Sequence, residues 1–391
     1  MNHGIIMLEN NISVGIVADW LVTYAGAERV VKEMIELFPD SDVYSIVDFL
    51  SDEARANFNH KKSTTTFIQH LPKAKQKYQT YLPLMPLAIE QIDVSKHDVV
   101  LSSSHAVAKG VLTGPDQLHI SYVHSPIRYA WDLQHQYLKE AKLDKGLKGL
   151  LAKYLLHKIR MWDVRTSNGV DYFIANSKFI SRRVKKVYGR DADVIYPPVE
   201  VERFDFNDNK EDFYLTASRM VPYKRMDLIV EAFANMPDKR LVVIGDGSEM
   251  PKVKKKAASN IEILGYQPDQ VLHDYMRRAK AFVFAAEEDF GITPVEAQAC
   301  GTPVIAYGKG GVLETVRPYG ISNPTGLFFE RQSISSLVET VKKFDKIQNL
   351  ILPSDCKENS QSFSSDRFKR ELNTYIEQKW KFFSDKKKIE Y

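Results

Sequence analysis

The sequence predicts an α/β protein of two domains, each built on a parallel sheet. Three observations lead to that class. Apolar runs of buried-strand length recur throughout, from ISVGIVA at residues 12–18 to PVIA at 303–306. Helical stretches separate them, and strands joined through helices run parallel. Pro197-Pro198 then stiffens a linker near the middle of the 391 residues, a length that supports two ordinary cores. The expected division is a first domain over 1–198, a second over 199–363, and a closing amphipathic helix over 364–391.

In the first half, the strand at 12–18 runs into Asp19-Trp20-Leu21-Val22-Thr23-Tyr24-Ala25-Gly26 and a helix from Glu28 to Leu37. A small-residue turn between a first strand and a helix N-terminus is where doubly wound folds approach phosphate, and Gly26 permits a close backbone approach. A plain tight turn would read the same way. A strand at 43–47 follows. The Lys- and Tyr-rich segment 64–92, broken by Pro83 and Pro86, is expected as a helical excursion outside the core. The strand 98–102 ends in Ser103-Ser104-His105, and the strand 118–123 ends in HSPIRYAWD, from His124 to Asp132. Both polar clusters fall at strand carboxyl ends, the ligand side of an open α/β sheet, although a lone histidine is more often structural. A basic helix over 139–165, a strand at 171–175, a helix at 179–188 and a strand at 193–196 complete this half.

The second half opens with a strand at 213–217, the loop Ser218-Arg219-Met220-Val221-Pro222-Tyr223-Lys224-Arg225 and a helix at 226–235. Arg219 and Lys224 flank a strand-to-helix loop, placed to clamp a diphosphate or simply to be solvated. The strand 240–244 ends in Gly245-Asp246-Gly247, and the strand 261–264 in Gly265-Tyr266-Gln267, before a helix at 269–278. The densest stretch is AAEEDFGITPVEAQACGTPVIAYGKGG at 285–311. Thr293 reads as the N-cap of a helix over 294–300, Pro294 as its first residue and Glu296 as a capping-box partner. Backbone N–H groups of Gly291, Ile292 and Thr293 would then face an anion, with Glu288 and Glu296 at its rim. A simple cap and a solvated glutamate pair are the plainer account of the same letters.

Charge and cysteine usage narrow the partners. The net charge is only +4, but residues 54–89 carry six Lys/Arg and no Asp/Glu, and 139–190 carry fourteen against four. Leu147, Leu150, Leu151, Tyr154, Leu155 and Ile159 lie among the second set at helical spacing. A basic amphipathic stretch of this kind suits an anionic membrane surface through the first domain. No nucleic-acid motif accompanies it, so nucleic acid is not expected as a partner. Cys300 and Cys356 have no metal-ligand spacing and fit a reduced cytoplasmic protein. The Asp-x-Asp matches, Asp40/Asp42 and Asp191/Asp193, read as turn residues before strands, and no metal site is expected. No apolar run approaches ~20 residues, and MNHGIIMLENNISVGIV has no basic region ahead of a long apolar run. Neither a spanning helix nor a signal peptide is therefore expected.

The stretch EDFGITPVEAQACGTPVIA, with its Glu-x7-Glu, resembles the signature of the family 4 glycosyltransferases, which have the GT-B fold. SRMVPYKRMDLIVEAF resembles that family's Arg-x4-Lys segment, and HSPIRYAWD resembles a subgroup that uses GDP-mannose in bacterial surface polysaccharide synthesis (O-antigen, capsule or exopolysaccharide). Ala25-Gly26-Ala27-Glu28 departs from the family's Gly-Gly-x-Glu by one residue. The resemblance implies two Rossmann-like domains facing across a cleft, with the C-terminal helix returning to the first. It implies a retaining sugar transfer from a nucleotide diphosphate sugar, GDP-mannose, to a lipid-linked glycan, with no metal. His124, Glu288, Arg219 and Lys224 would carry catalysis. Gly26, Gly245, Tyr266, Phe290, Gly291, Ile292, Thr293 and Glu296 would join Arg219, Lys224 and Glu288 in binding the donor. Asp19, Trp20, His105, Arg128, Tyr129 and Trp131 would line the acceptor side. The place of work would be the cytoplasmic face of the inner membrane, peripherally. A sugar-nucleotide epimerase of the same fold and a non-catalytic nucleotide-binding module are the competing readings.

Overall fold

The computed structural model describes residues 12–390. The amino-terminal residues on which the absence of a signal peptide was read lie mostly outside the described residues. The chain divides into two compact units. One runs to Pro197 and takes in the chain from Phe368 onward, and the other spans Pro198–Arg367.

The first unit holds a seven-stranded parallel sheet: β1 (Val14–Ala18), β2 (Asp42–Ser45), β3 (Thr64–Thr65), β4 (Val99–Ser104), β5 (Leu118–Val123), β6 (Tyr172–Ala175) and β7 (Ala192–Val194). Their order is β3-β2-β1-β4-β5-β6-β7. β1 pairs with β2 on one side and with β4 on the other, so the carboxyl ends of β1 and β4 flank a topological switch point. Every residue of β1, β4 and β5 is buried, as helices on both faces of a parallel sheet require. From Phe368 onward the closing helix Ser365–Glu390 belongs to this unit for a simple reason. Phe368, Leu372 and Ile376, four residues apart, pack fully buried in one cluster with Ile16, Leu101 and Ile120. Each such burial is worth about 1.5–3 kcal/mol.

Three expectations for this unit need correction, the last of them in part. The 64–92 segment is not outside the core. It forms short turns, yet Ile68, Met85, Ala88 and Ile89 are completely buried beside Val17 and Val100. Its prolines break the helical period that would have announced a buried face. The basic stretch is not one helix over 139–165 but two, Gln134–Glu140 and Gly146–Thr166. Lys142 and Gly146 adopt positive φ of 56° and 71° between them. Of the Asp-x-Asp residues, Asp40 lies in a turn and Asp191 just ahead of β7, as expected, whereas Asp42 and Asp193 are strand residues. Asp42 opens β2 and pairs with Lys96 at 2.7 Å, and Asp193 in β7 accepts from the Tyr375 hydroxyl at 2.9 Å.

The second unit holds a six-stranded parallel sheet: β8 (Glu211–Ala217), β9 (Leu241–Ile244), β10 (Ile261–Gly265), β11 (Ala279–Phe284), β12 (Val304–Tyr307) and β13 (Gly326–Phe329). The order β10-β9-β8-β11-β12-β13 puts its switch point between β8 and β11. β13 and the helices Ile334–Ile347 and Pro353–Gln361 were not among the expected elements, although Ser333 caps the first helix and Leu337, Val341 and Phe344 recur on its buried face. Gly326 shows why β13 is easy to miss. A Cβ there would lie 2.0 Å from the Val304 carbonyl oxygen, so close strand packing demands a residue of poor strand propensity.

Candidate active site

In the second unit, three loops at strand carboxyl ends build one site. The loop after β8 carries Arg219 and Lys224. It lies on the Gly245–Gly247 turn after β9, where Gly245 has φ of 132° and a Cβ would meet the Ser218 oxygen at 1.9 Å. The Met220 N–H donates to the Asp246 carbonyl at 2.8 Å, and its side chain is completely buried. That anchor leaves Arg219 exposed beside it. The tight turn Pro222–Lys224 and the left-handed Arg225, φ 54°, then swing Lys224 back across the sheet end.

Lys224 forms an ion pair with Glu288, which follows β11. Both side chains are mostly buried, 15% and 17% exposed. The ammonium also lies 5.4 Å from the Tyr223 ring centroid and 6.0 Å from that of Phe284. Glu288 is held from behind by the glycine loop after β12. Gly311 N–H donates to the Glu288 carbonyl at 2.8 Å, and a Cβ on Gly310 would sit 2.4 Å from that oxygen. Gln332, after β13, donates to the Ala285 carbonyl at 2.8 Å and accepts from Arg225 at 3.3 Å. It ties the two loops together, and nothing in its sequence neighbourhood marked it.

The helix here is Ile292–Ala299, two residues earlier than expected. Its N-cap is Gly291 at φ 88°, not Thr293, so Glu296 sits in the second turn and closes no capping box. The positive-φ glycine reverses the chain sharply enough to start the helix at once, overriding the local Thr-Pro signal. Gly291, Ile292 and Thr293 still supply the leading N–H groups, close behind Glu288 in the chain. Phe290 turns inward, 3% exposed, its ring 5.5 Å from Phe363, so its side chain packs in the core. Tyr266 is 76% exposed after β10, whose terminal Gly265 carbonyl accepts from Gly245 N–H at 2.8 Å. At the far end of the helix, Lys210 donates to the carbonyls of Arg277 and Cys300 and to Thr302 Oγ1 at 2.8–3.0 Å. Burial pushes its ammonium down to about 8. This cation caps the helix carboxyl end, favourably placed on the dipole.

The first unit gathers the other expected residues at the β1, β4 and β5 ends. Asp19 is 1% exposed and receives four backbone N–H groups, from His105, Ala106, Val107 and Ala108, at 2.5–2.9 Å. His105 Nδ1 adds a contact at 3.0 Å. Both oxygens are thus committed to shaping the 105–108 loop, and the expectation of Asp19 as a direct acceptor contact gives way to a positioning role. Trp20 packs edge-on against His105 at 4.5 Å, and His105 lies 6.1 Å from His124. His124 Nε2 shares a hydrogen bond with Ser103 Oγ at 2.8 Å. Burial, with His105 adding to it, pushes the His124 imidazole down to about 3, so it is neutral at any working pH. Gly26 is the first residue of the helix Gly26–Leu37, and Glu28 reaches back to the Ala25 N–H at 3.2 Å. Burial pushes the Glu28 carboxyl up to about 7.

The HSPIRYAWD loop forms a tight turn with Trp131 N–H bonded to the Ile127 carbonyl at 3.1 Å. Arg128 Nε donates to Ser125 Oγ at 3.4 Å. Burial pushes the Tyr129 phenol well above its usual range, so it stays protonated. Trp131 points its indole N–H inward, 2.7 Å from Asp163 Oδ2, leaving only ring surface for an acceptor. Asp163 itself forms a fully buried ion pair with Lys109, which the sequence did not announce. Among the described residues, no group of three or more His, Cys, Asp and Glu side chains is placed to hold a metal ion.

Two doubly wound parallel sheets, each with its polar loops at the carboxyl ends, are the layout of GT-B proteins. The model of the Glycosyltransferase Family 4 domain matches residues 24–203, and that of the Glycosyl transferases group 1 domain matches 199–363. Together the two models span residues 24–363, so the likeness to the family 4 glycosyltransferases runs through both halves of the chain. It is 30% identical over 224 residues to an uncharacterized glycosyltransferase of Methanocaldococcus jannaschii, covering 56% of this chain and 61% of that one. It is 30% identical over 201 residues to a GDP-mannose-dependent monoacylated alpha-(1-6)-phosphatidylinositol monomannoside mannosyltransferase of Corynebacterium glutamicum, covering 44% and 51%. The chain thus spans between half and three-fifths of the length of these relatives. Anabaena HepE, solved in complex with UDP, shares the fold with a TM-score of 0.68 at 16% identity, over 94% of this chain and 100% of that one.

Proposed function

We propose that this protein is a retaining glycosyltransferase that moves mannose from GDP-mannose to a lipid-linked glycan in bacterial surface polysaccharide synthesis. The observation that carries the reading is the mostly buried Lys224–Glu288 pair, with Glu288 only four residues ahead of the Ile292–Ala299 helix in the chain. An ammonium has three donors, so Lys224 can keep Glu288 and still reach a diphosphate. Arg219, Lys224 and the helix N-terminus would stabilise the charge that builds on the β-phosphate as the sugar C1–O bond breaks. The acceptor oxygen would attack C1 from the same face, and its proton would pass to the departing phosphate. Glu288 would hold donor sugar hydroxyls, Glu296 the ribose, and neutral His124 would donate or accept a hydrogen bond beside the sugar. The GDP-mannose-dependent relative supports the donor assignment, and the UDP bound to HepE is the competing base.

A panel of nucleotide sugars, read by released nucleoside diphosphate and by the fate of the sugar, tests this. Transfer preferring GDP-mannose supports the reading. Epimerised nucleotide sugar would establish the epimerase instead, and binding without turnover a non-catalytic module. In the same assay activity survives EDTA, because the clamp cations carry the leaving-group charge. Loss restored by manganese or magnesium would assign that task to a metal.

The protein is further proposed to dock peripherally on the cytoplasmic face of the inner membrane. No helix among the described residues is long and apolar enough to cross a membrane. On the Gly146–Thr166 helix, Ile159 turns inward, but Leu147, Leu150, Leu151 and Tyr154 are 86%, 64%, 59% and 56% exposed. Lys145, Lys148 and Lys153 flank them. Each cation near an anionic leaflet contributes about 1 kcal/mol, and the apolar side chains add burial. Co-sedimentation with anionic vesicles should fall with salt and with charge reversal at those three lysines. Indifference of the unmutated protein to such vesicles at low salt would reject this surface.

A further inference from the structure

We propose that the buried Lys109–Asp163 ion pair is a positioning device that sets the 125–132 loop, and with it Arg128, for the acceptor. It rests on the reading of that loop as the acceptor side. The two side chains are 1% and 0% exposed. Lys109 lies on the loop that Asp19 shapes, directly after the four capped amides, and Asp163 on the Gly146–Thr166 helix. The ammonium lies 5.3 Å from the Trp162 ring centroid and 5.1 Å from that of Tyr188, and reaches Thr166 Oγ1 at 3.4 Å. On the other side, Asp163 Oδ2 accepts the Trp131 indole N–H at 2.7 Å and the Tyr188 hydroxyl at 3.2 Å.

Packing alone does not call for this arrangement. A buried ion pair is often replaceable by apolar residues of similar volume without loss of stability. An apolar pair cannot, however, accept the Trp131 N–H. That bond fixes the rotation of the tight turn in which Arg128 stands three residues earlier. Arg160, one turn before Asp163 on the same helix, adds a second tie by donating to the Ala130 carbonyl at 2.7 Å. Lys109 therefore serves by holding Asp163 in place, and Asp163 by holding Trp131. Both are positioning residues that touch no substrate.

The double variant Lys109→Met/Asp163→Leu and the single Trp131→Phe test this. Trp131→Phe leaves the ion pair intact and removes the donor together with part of the ring, so loop exchange, and not probe KM alone, reads the lost bond. Hydrogen exchange is followed over amides 125–132 in the full chain. Transfer from GDP-mannose is measured with a synthetic short-chain lipid-diphosphate-linked sugar as acceptor probe. Both variants should keep the donor KM and stay folded at the assay temperature, with a fall in melting temperature limited to the loss of one or two buried hydrogen bonds. Exchange in the loop and the KM for the probe should each rise about tenfold or more, the worth of a hydrogen bond to a charged acceptor. Wild-type exchange and probe KM in Trp131→Phe would overturn the proposal, whatever the stability of the double variant. Arg128→Ala separates the two layers. An unchanged probe KM there, with exchange still raised in Trp131→Phe, would reject the acceptor reading and with it the purpose assigned to the pair.

Discussion

Replacing Arg219 or Lys224 by alanine is expected to lower turnover by about 10²–10³-fold, the scale of losing one preorganised stabiliser of developing charge. The two losses should differ in form. Arg219 is exposed on a loop whose backbone is held by the glycines after β9 and by the buried Met220, so its removal leaves the site standing. Its variant should lose kcat with little change in fold. Lys224 is also the partner of Glu288 in a mostly buried pair. Lys224→Ala leaves that carboxylate uncompensated, and donor affinity should fall along with kcat. Steady-state kinetics with the donor varied would check both. Wild-type turnover in the two variants would remove the clamp from the mechanism.

Asp19→Ala should destabilise the first unit by about 3–5 kcal/mol, the cost of stripping one side of a buried charged cluster. Four backbone N–H groups and His105 converge on that carboxylate, and alanine would leave the donors facing a void. Each buried donor left unsatisfied costs about 1–3 kcal/mol, less whatever the 105–108 loop recovers by moving. The melting transition of this unit should fall by roughly 10 °C or more, at about 2–4 °C per kcal/mol for its size. Asp19→Asn keeps acceptor capacity on one oxygen and should fall between. Calorimetry on the full chain would decide. An unshifted melt in Asp19→Ala would show that the cluster is dispensable to the fold, and the residue would return to the list of direct contacts.

Much of the architecture was legible because its signals are local. The β-α alternation and most core strands follow from apolar runs bounded by turn residues. The stretch from Glu288 to Glu296 was legible as a site because a strand end, a glycine and a helix start fall within nine residues. Even there the local rule for the helix start failed by two residues, because the left-handed Gly291 made a tighter reversal than the Thr-Pro pair suggested. The 64–92 segment failed differently. Its buried residues come from several short turns, and no single period runs through them.

The sequence by itself determined the class of the protein, its two parallel sheets and the clusters of residues at their carboxyl ends, since each is written within a dozen consecutive residues. Tertiary structure alone decided which polar residues are available to a ligand. Asp19 reads as a loop acid until the chain near residue 105 folds onto it, and Trp131 as a sugar platform until Asp163 takes its N–H. Gln332 and Lys109 acquire their tasks the same way, from partners 47 and 54 residues away. The physical reason is that a buried polar group must find a partner, and the partner is selected by proximity in the folded state, which no local pattern encodes.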